Sequence, residues 1–524
     1  MKLPCDEAVL KSKHAIAPCS AEARPWILGA AIVGSSMAFI DGTVVNVALP
    51  ALQTKLGATV VDVQWVVEAY GLFLGALILV GGSAGDLFGR RRMFLAGVAV
   101  FAIASACCGL AATIHQLVIA RAAQGVGAAF MVPGSLSIVS ASFAEKDRGR
   151  AIGTWSGFTA ITTALGPVLG GWLIEHASWR WVFFINIPLA AVVITVSLKH
   201  VPESRSVGTR RIDWLGALLA ALGLAGLVTG FIDAARFGWT HPVVLGSLII
   251  GLSCLLLFSV VEANSNSPMI PLSLFKSTAF SGANFLTFFL YSALGIFFFL
   301  FPLNLIQVHG YSATAAGAAA LPLILLMFLL SPWSGGLVSK HGPRLPLIGG
   351  PLIATAGFLL FAMPSLGGSY WVTFFPGFVV LGIGMAVSVA PLTTVVMGSV
   401  NQDSAGTASG INNAVARIAG LLAIAVLGLA MIGAFSFHLN RSLESLTVPP
   451  GATTEIQSNE IRLAAVEIPA GLDSGTSTAL QTAVYQAFVF GFRLAMLICV
   501  ALSMTSAAFA WWMIPAKLPP LDLG

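Results

Sequence analysis

Gly82-Ser-Ala-Gly-Asp86-Leu-Phe-Gly89-Arg90-Arg91 is a short charged interruption between two long apolar runs. Upstream, residues 64–84 carry Glu68 as their one charged residue, and downstream residues 93–112 carry none. A helix that crosses a membrane needs about 20 mostly apolar residues, and both runs reach that length. Gly85 and Gly89 allow a tight turn against neighbouring helix ends. Asp86 can accept from a helix N-terminus or pair with Arg90 or Arg91. An ordinary cytoplasmic cluster of positive charge is the plainer reading of the same residues.

The same pattern extends along the whole chain. Candidate spans fall near 26–49, 64–84, 93–112, 115–140, 150–174, 180–199, 213–235, 243–262, 279–303, 313–338, 345–364, 371–398, 406–435 and 484–514, fourteen in all. An echo of the opening segment follows the tenth span, as Gly335-Gly-Leu-Val-Ser339-Lys-His-Gly342-Pro-Arg344. The glycines and the basic end match in register, with Ser339 in place of Asp86. Two similar halves of six spans suggest a transporter built from repeats. The echo pairs the second span with the tenth, an offset of six plus two, so spans seven and eight read as an inserted hairpin. The expected domains are a tail at 1–25, a six-helix bundle at 26–200, the inserted pair at 213–262, a second six-helix bundle at 279–514 and a tail at 515–524. The fold class is an all-α membrane protein.

Composition excludes a soluble particle. The chain has 524 residues, 57% hydrophobic and 9% charged, against roughly 25% charged in a soluble protein. Mean hydropathy is +0.92, and the 55 glycines suit closely packed membrane helices. The net charge of +5 reads as topology rather than nucleic-acid binding, because the cations sit in particular loops. Lys11, Lys13 and Arg24 precede the first span. Arg90, Arg91 and Arg92 follow the second, Lys146, Arg148 and Arg150 the fourth, Lys199, Arg205, Arg210 and Arg211 the sixth, and Lys340 and Arg344 the tenth. The opposite loops hold few, among them Lys55, Arg180 and Arg236. The positive-inside rule places both termini in the cytoplasm and the chain in the inner membrane. The longest loop, about 436–483, falls outside; it is acidic and rich in Ser, Thr and Gly, and is expected to be partly disordered or loosely helical. Residues 1–24 are polar, so no signal peptide is expected. Six cysteines, without CxxC or Cys/His spacing, lead to the expectation of no disulfide and no metal site. No GxxxxGK[ST] loop, HExxH or Ser/His/Asp nucleophile motif occurs, so neither ATP-driven transport nor a cofactor nor an enzyme is expected.

Four motifs carry a more specific reading. Asp41-Gly-Thr-Val-Val-Asn46-Val-Ala-Leu-Pro50 ends the first span, and the Gly82/Asp86/Gly89/Arg90 segment follows the second. Arg121-Ala-Ala-Gln124-Gly125-Val-Gly127 opens the fourth. Gly166-Pro167-Val-Leu-Gly170-Gly171 lies in the fifth, followed by Trp179-Arg180-Trp181 and Asn186-Ile-Pro188. In this order and at these depths they resemble the major facilitator superfamily, and within it the fourteen-helix drug:proton antiporters. The resemblance covers the chain from about residue 26. It implies two six-helix bundles around a central cavity, an inner gate at Gly82, Asp86, Gly89, Arg90 and Arg91, and proton coupling at the acidic residue of the first span and the arginine of the fourth. It also associates the glycine–proline motif of the fifth span with antiport.

The residues themselves allow these roles beside plainer ones. At about 1.5 Å per residue, Asp41 lies roughly 13 Å and Arg121 roughly 9 Å from the outer surface, so the two can meet. Ionisable residues at such depth are costly unless paired or wet. A carboxylate poised between burial and a cation can load and release a proton; a static ion pair is the alternative. Glu68 is either a second proton- or cation-binding carboxylate near Arg121 or a side chain that reaches the outer headgroups; a small polar residue would fit the family pattern better there. Gly166, Pro167, Gly170 and Gly171 give a bend and a smooth face, which packing alone also explains.

The second half lacks acids: between Phe275 and His438 only Asp403 occurs. Arg417 there has no obvious partner nearby in sequence, although Asn412 and Asn413 lie one turn away. Asn46, Gln124, Asn284, Asn412, Asn413 and Arg417 are the candidate cavity residues, since polar groups avoid lipid. Phe288, Phe289, Tyr291, Phe297, Phe298 and Phe299 can stack on lipophilic cations or simply pack against lipid and neighbouring helices.

The function expected is export of lipophilic or amphipathic small molecules by a proton-coupled antiporter, working as a monomer among membrane lipids without nucleic acid. Any adaptor or outer-membrane channel is a separate chain. Export of an endogenous metabolite or lipid is the alternative on the same fold.

Overall fold

The computed structural model describes residues 19, 22–143, 145–205, 213–265, 268–400, 405–446 and 448–516. Lys11, Lys13, Arg210, Arg211, Asp403 and most of the two expected tails lie outside them, as do the side chains of Lys146, Arg148 and Arg150. Among the described residues, fourteen helices are long and apolar enough to cross a membrane. They are α1 (Arg24–Leu56), α2 (Val60–Phe88), α3 (Arg90–Leu110), α4 (Ile114–Ser142), α5 (Ala151–His176), α6 (Trp181–His200), α7 (Trp214–Phe237), α8 (Pro242–Asn264), α9 (Thr278–Val308), α10 (Ala313–Gly335), α11 (Arg344–Ala362), α12 (Phe375–Gly398), α13 (Thr407–Ser445) and α14 (Ser474–Met513). Helices are the form that lets each such segment satisfy its own backbone groups where no water is at hand.

The helices divide into two compact units. One comprises Met1–Ala48, Trp65–Ala225 and Ile250–Pro271; the other comprises Leu49–Gln64, Gly226–Ile249 and Leu272–Gly524. This division cuts across the expected segments. The last turns of α1 and the first of α2 belong to the second unit, and α7 and α8 are each shared between the two.

The internal repeat survives as backbone geometry. The opening segment is helical through Phe88, and its turn is a single residue, Gly89, at φ 115°. Its counterpart Gly342 sits at φ 76° before α11. Such angles suit glycine and few other residues. Each glycine also lies against the chain that leaves the last helix of its half. A β-carbon at Gly89 would lie 2.6 Å from Glu203 Oε1, and one at Gly342 would strike the Ala516 carbonyl. A second correspondence involves arginine. Arg180 donates to the carbonyls of Gly109 (2.9 Å) and Ala111 (2.6 Å) at the end of α3. Arg493 donates to Met363 (3.1 Å) and Pro364 (2.9 Å) just past α11. A cation at the carbonyl end of a helix complements its dipole.

The second unit is organised around phenylalanine. Phe297, Phe301, Phe358, Phe361, Phe374 and Phe378 are buried, with ring centroids 4.7 Å apart for Phe297 and Phe361 and 4.9 Å for Phe301 and Phe378. Of the aromatic stretch on α9, Phe297 and Phe299 thus face helix neighbours, while Phe288, Phe289, Tyr291 and Phe298 are partly exposed.

Two expectations change. The long loop expected to lie outside is shorter and more ordered than its composition suggested. α13 runs to Ser445 and α14 begins at Ser474, with a helix at Pro450–Ser458 and a 3-10 turn at Glu460–Ala465 between them. Ile456, Leu463 and Val466 are buried there and anchor the segment. Asp473 caps α14, accepting from the Thr476 hydroxyl (2.6 Å) and N–H (2.9 Å), bonds that hold its carboxyl below the usual range. Cys19 is disulfide-bonded, with its partner outside the described residues. The expectation of no disulfide rested on motif spacing, which does not bear on a single pair of cysteines.

Candidate functional site

Asp41 sits in α1 with no exposed surface, and its carboxylate is shared among three helices. Oδ2 accepts from Arg121 Nη1 of α4, in an ion pair whose two side chains are 0% and 1% exposed. Oδ1 accepts from Gln124 Nε2 at 2.8 Å and from Asn186 Nδ2 of α6 at 3.4 Å. Arg121 is held further by the Val66 carbonyl (3.1 Å), by Gln124 Oε1 (2.8 Å) and by the Tyr70 ring, 4.2 Å from its carbon. Tyr70 in turn donates to the Ala38 carbonyl at 3.0 Å. Ser105 of α3 closes the set: its hydroxyl accepts from Gln124 (3.2 Å) and Asn186 (3.0 Å) and donates to the Phe183 carbonyl (2.8 Å).

Local sequence explains why the helices come close enough. A β-carbon at Gly125 would strike the Tyr70 carbonyl of α2, and one at Gly127 would lie 2.5 Å from the Phe101 nitrogen of α3. In α5, a β-carbon at Gly166 would strike the Thr43 hydroxyl, and one at Gly170 the Val44 side chain. The glycines of α5 therefore bring it against α1 within three residues of Asp41.

Glu68 is not part of this network. Val66 and Tyr70 of α2 face Arg121, and Glu68 lies about 200° round the helix from Val66. It is 0% exposed, and neither of its oxygens has a hydrogen-bond partner among the described residues. Complete burial also removes the reading in which Glu68 reaches the outer headgroups.

At the start of α3, Asp86 pairs with Arg90 at 2.9 Å, across the Gly89 turn. Arg91 donates from its side chain to the Val201 carbonyl at 3.0 Å. Glu203 accepts from the backbone N–H groups of Arg91 (3.1 Å) and Arg92 (3.2 Å) and so caps the helix, a task the side-chain-free Gly89 cannot perform. Glu203→Ala is expected to lower stability by about 1–2 kcal/mol. Thermal unfolding in detergent reads this, and an unchanged midpoint would remove the cap from the account.

With this geometry in view, comparison with known proteins places the chain. The Major Facilitator Superfamily model matches residues 31–424, more than half of the sequence. The chain belongs to the Major Facilitator Superfamily. It is 35% identical over 428 residues to the multidrug resistance protein Stp of Mycobacterium tuberculosis, covering 80% of this chain and 78% of that protein. It is 32% identical over 503 residues to the tetracenomycin C resistance and export protein of Streptomyces glaucescens, covering 93% and 91%. Its fold matches the crystal structure of a bacterial homolog to the human lysosomal transporter Spinster with a TM-score of 0.63, at 19% identity over 96% of this chain and 100% of that one. As a superfamily member the chain is a multi-pass membrane transporter, not an enzyme.

The remaining candidate residues of this facilitator-fold chain are dispersed. Gln124 is bound to Asp41 and Arg121. Asn284 is 5% exposed and lies between α9 and α13, where Asn412 donates to its carbonyl (3.1 Å) and to the Thr287 hydroxyl (2.7 Å). Asn284 thus joins two helices instead of lining open space. Asn413 is exposed and donates to the Ser409 carbonyl at 3.0 Å, whereas Asn46 and Arg417 are partly exposed. Sequence reasoning gave no role to Tyr70, Ser105 or Glu203, and it quoted Asn186 only within the Asn186-Ile-Pro188 motif. Asn186 carried a signal, as an amide inside a long apolar run; Ser105 and Glu203 carried none.

Proposed function

We propose that the protein is a proton-coupled antiporter that exports lipophilic or amphipathic small molecules across the inner membrane, with both termini cytoplasmic. The observation that carries this reading is the buried Asp41–Arg121 pair, sealed by amides from Gln124 and Asn186. Water-excluded charge is costly, and a carboxylate that meets one cation can be emptied of charge by one proton. Proton loading at Asp41 frees Arg121 and so gives the pair two states to alternate between. The names of the relatives, a multidrug resistance protein and a tetracenomycin C resistance and export protein, support outward transport of drug-like compounds.

Asp86, Arg90 and Arg91 act in this reading as the inner gate, and Gly166, Pro167, Gly170 and Gly171 as the flexible contact of α5 with the coupling helix. Glu68, an unpartnered buried carboxylate, serves as a second site for a proton or a cation. Asn46, Asn412, Asn413 and Arg417 supply polar contacts to substrate.

The test is efflux of a fluorescent lipophilic cation from loaded cells or everted vesicles, with and without a protonophore. Efflux is expected to collapse when the protonophore is added. Efflux that persists overturns proton coupling, and no efflux across a varied dye panel from well-expressed protein turns the assignment to a dedicated metabolite or lipid exporter.

A further inference from the structure

The bonds around Asp41 leave one acceptor over. Asn186 is 1% exposed; its Nδ2 contacts Asp41 Oδ1 and Ser105, and its Oδ1 has no partner among the described residues. A carboxylate only accepts hydrogen bonds, whereas a carboxylic acid must donate one. A proton arriving at Asp41 meets Arg121 Nη1 already pointing at Oδ2, so it settles on Oδ1. There it needs an acceptor. Gln124 Oε1 already takes a bond from Arg121, and Ser105 Oγ takes two from amides. Asn186 Oδ1 is the acceptor that stands idle. Its Nδ2 also makes the longest contact in the set, 3.4 Å against 2.8 Å for Gln124. The terminal torsion of an amide is broad and roughly two-fold, so this side chain can turn over at small torsional cost.

We propose that Asn186 is the positioning residue for the transported proton: its NH2 donates to the ionised Asp41, and, turned over, its carbonyl accepts from the protonated one. The one bond formed is O–H on Asp41 Oδ1, with the proton taken from water and returned to it. The turn also withdraws the amide donor from Ser105, whose hydroxyl holds the Phe183 carbonyl. The protonation state of α1 is thereby passed to α3 and to the first turn of α6.

Among the described residues, the charged and titratable groups facing Asp41 are Arg121 from α4, Tyr70 from α2 beneath that guanidinium, and Cys108 from α3, whose thiol contacts Gln124 at 3.6 Å. The nearby stretches 159–171 of α5 and 181–193 of α6 contain no titratable residue. The inference rests on the proton-coupled reading above.

Acid-minus-base infrared difference spectroscopy on the full-length protein in lipid tests it. The expected spectrum has a carboxylic acid C=O band, absent in Asp41→Asn, and a paired asparagine amide change, absent in Asn186→Leu. In Asn186→Leu the Asp41 band moves to higher wavenumber, as for an acid without an acceptor, and pH-driven efflux falls about tenfold or more, the effect of losing a hydrogen bond to a charged group. Asn186→Ser, whose hydroxyl can still accept, keeps the band nearer its original place. An Asp41 band identical in wild type and Asn186→Leu overturns the assignment while leaving proton coupling intact. A wild-type protein in which no Asp41 band titrates overturns the coupling reading and this one with it. Should the leucine variant not fold, asparagine labelled at its side-chain carbonyl gives the amide change in the wild type; its absence on acidification overturns the proposal equally.

Discussion

Asp41→Asn is expected to bind substrate and fail to pump it. Asparagine keeps the shape of the side chain and an oxygen for the Gln124 amide, which donates to Asp41 Oδ1 at 2.8 Å. It removes the carboxylate that pairs with Arg121, the group proposed to carry the proton. A guanidinium stranded in a dry site destabilises by about 3–5 kcal/mol when nothing else compensates. Here the Val66 carbonyl, Gln124 Oε1 and the Tyr70 ring remain, so the loss is expected toward the lower end of that range. The expected result is folded protein with a lowered unfolding midpoint, dye binding within a few-fold of wild type, and pH-driven efflux reduced about a hundredfold or more, corresponding to about 2.7 kcal/mol of lost coupling. Dye uptake by everted vesicles after an imposed pH step, with binding measured separately in detergent, separates the two properties. Full efflux by the variant would take Asp41 out of the mechanism.

How much of this was legible beforehand follows from what periodicity can and cannot encode. The fourteen helices could be read because a bilayer imposes both length and composition on each of them. The repeat could be read because Gly89 and Gly342 occupy backbone angles that favour glycine, so the residue type itself records the turn. Asp41 and Arg121 stood out because charge is rare in lipid. Depth alone brought them together on paper; direction did not, and Glu68 shows the limit. Placed near Arg121 by its distance along α2, it lies on a different face from Val66 and Tyr70, so rotation about the helix axis decided what depth could not. Glu203 and Ser105 were invisible for another reason. Their partners are backbone groups and amides of distant segments, and a glutamate before a loop or a serine within an apolar run has no local pattern to mark such a bond. The ends of α13 and α14 were missed because hydropathy stops at the membrane surface, whereas the helices continue through Ser445 and from Ser474. At about 1.5 Å per residue, 39 and 40 residues give roughly 60 Å, about twice the hydrocarbon thickness.

Gly170→Leu is expected to abolish both folding yield and transport, and the comparison with Gly170→Ala locates the cause. A β-carbon at position 170 falls on the Val44 side chain, with Val44 Cβ at 3.2 Å and its carbonyl oxygen at 3.4 Å behind it. At position 166 a β-carbon strikes the Thr43 hydroxyl, with the Ile40 carbonyl at 3.2 Å. Valine and threonine side chains are stiff about their first torsion, so neither can swing aside freely. Overpacking of this kind costs about 1–3 kcal/mol for a small addition, and a branched four-carbon side chain must push α5 off α1 altogether. Alanine at 170 is therefore expected to lower the unfolding midpoint and leave some efflux, while leucine leaves little recoverable protein. The glycines are associated with antiport in the family, and the contact with α1 gives that association a physical content. They fix how closely α5 can slide along the helix that carries Asp41, within three residues of the carboxylate. If close approach is what matters, Val44→Ala should restore both yield and efflux to Gly170→Ala, since it removes the γ-methyl that the new β-carbon strikes. Should Gly170→Ala instead fold and transport as wild type without that second change, α5 is not tightly seated on α1, and the role of the motif passes to Pro167, which lies inside the helix and lacks a backbone donor.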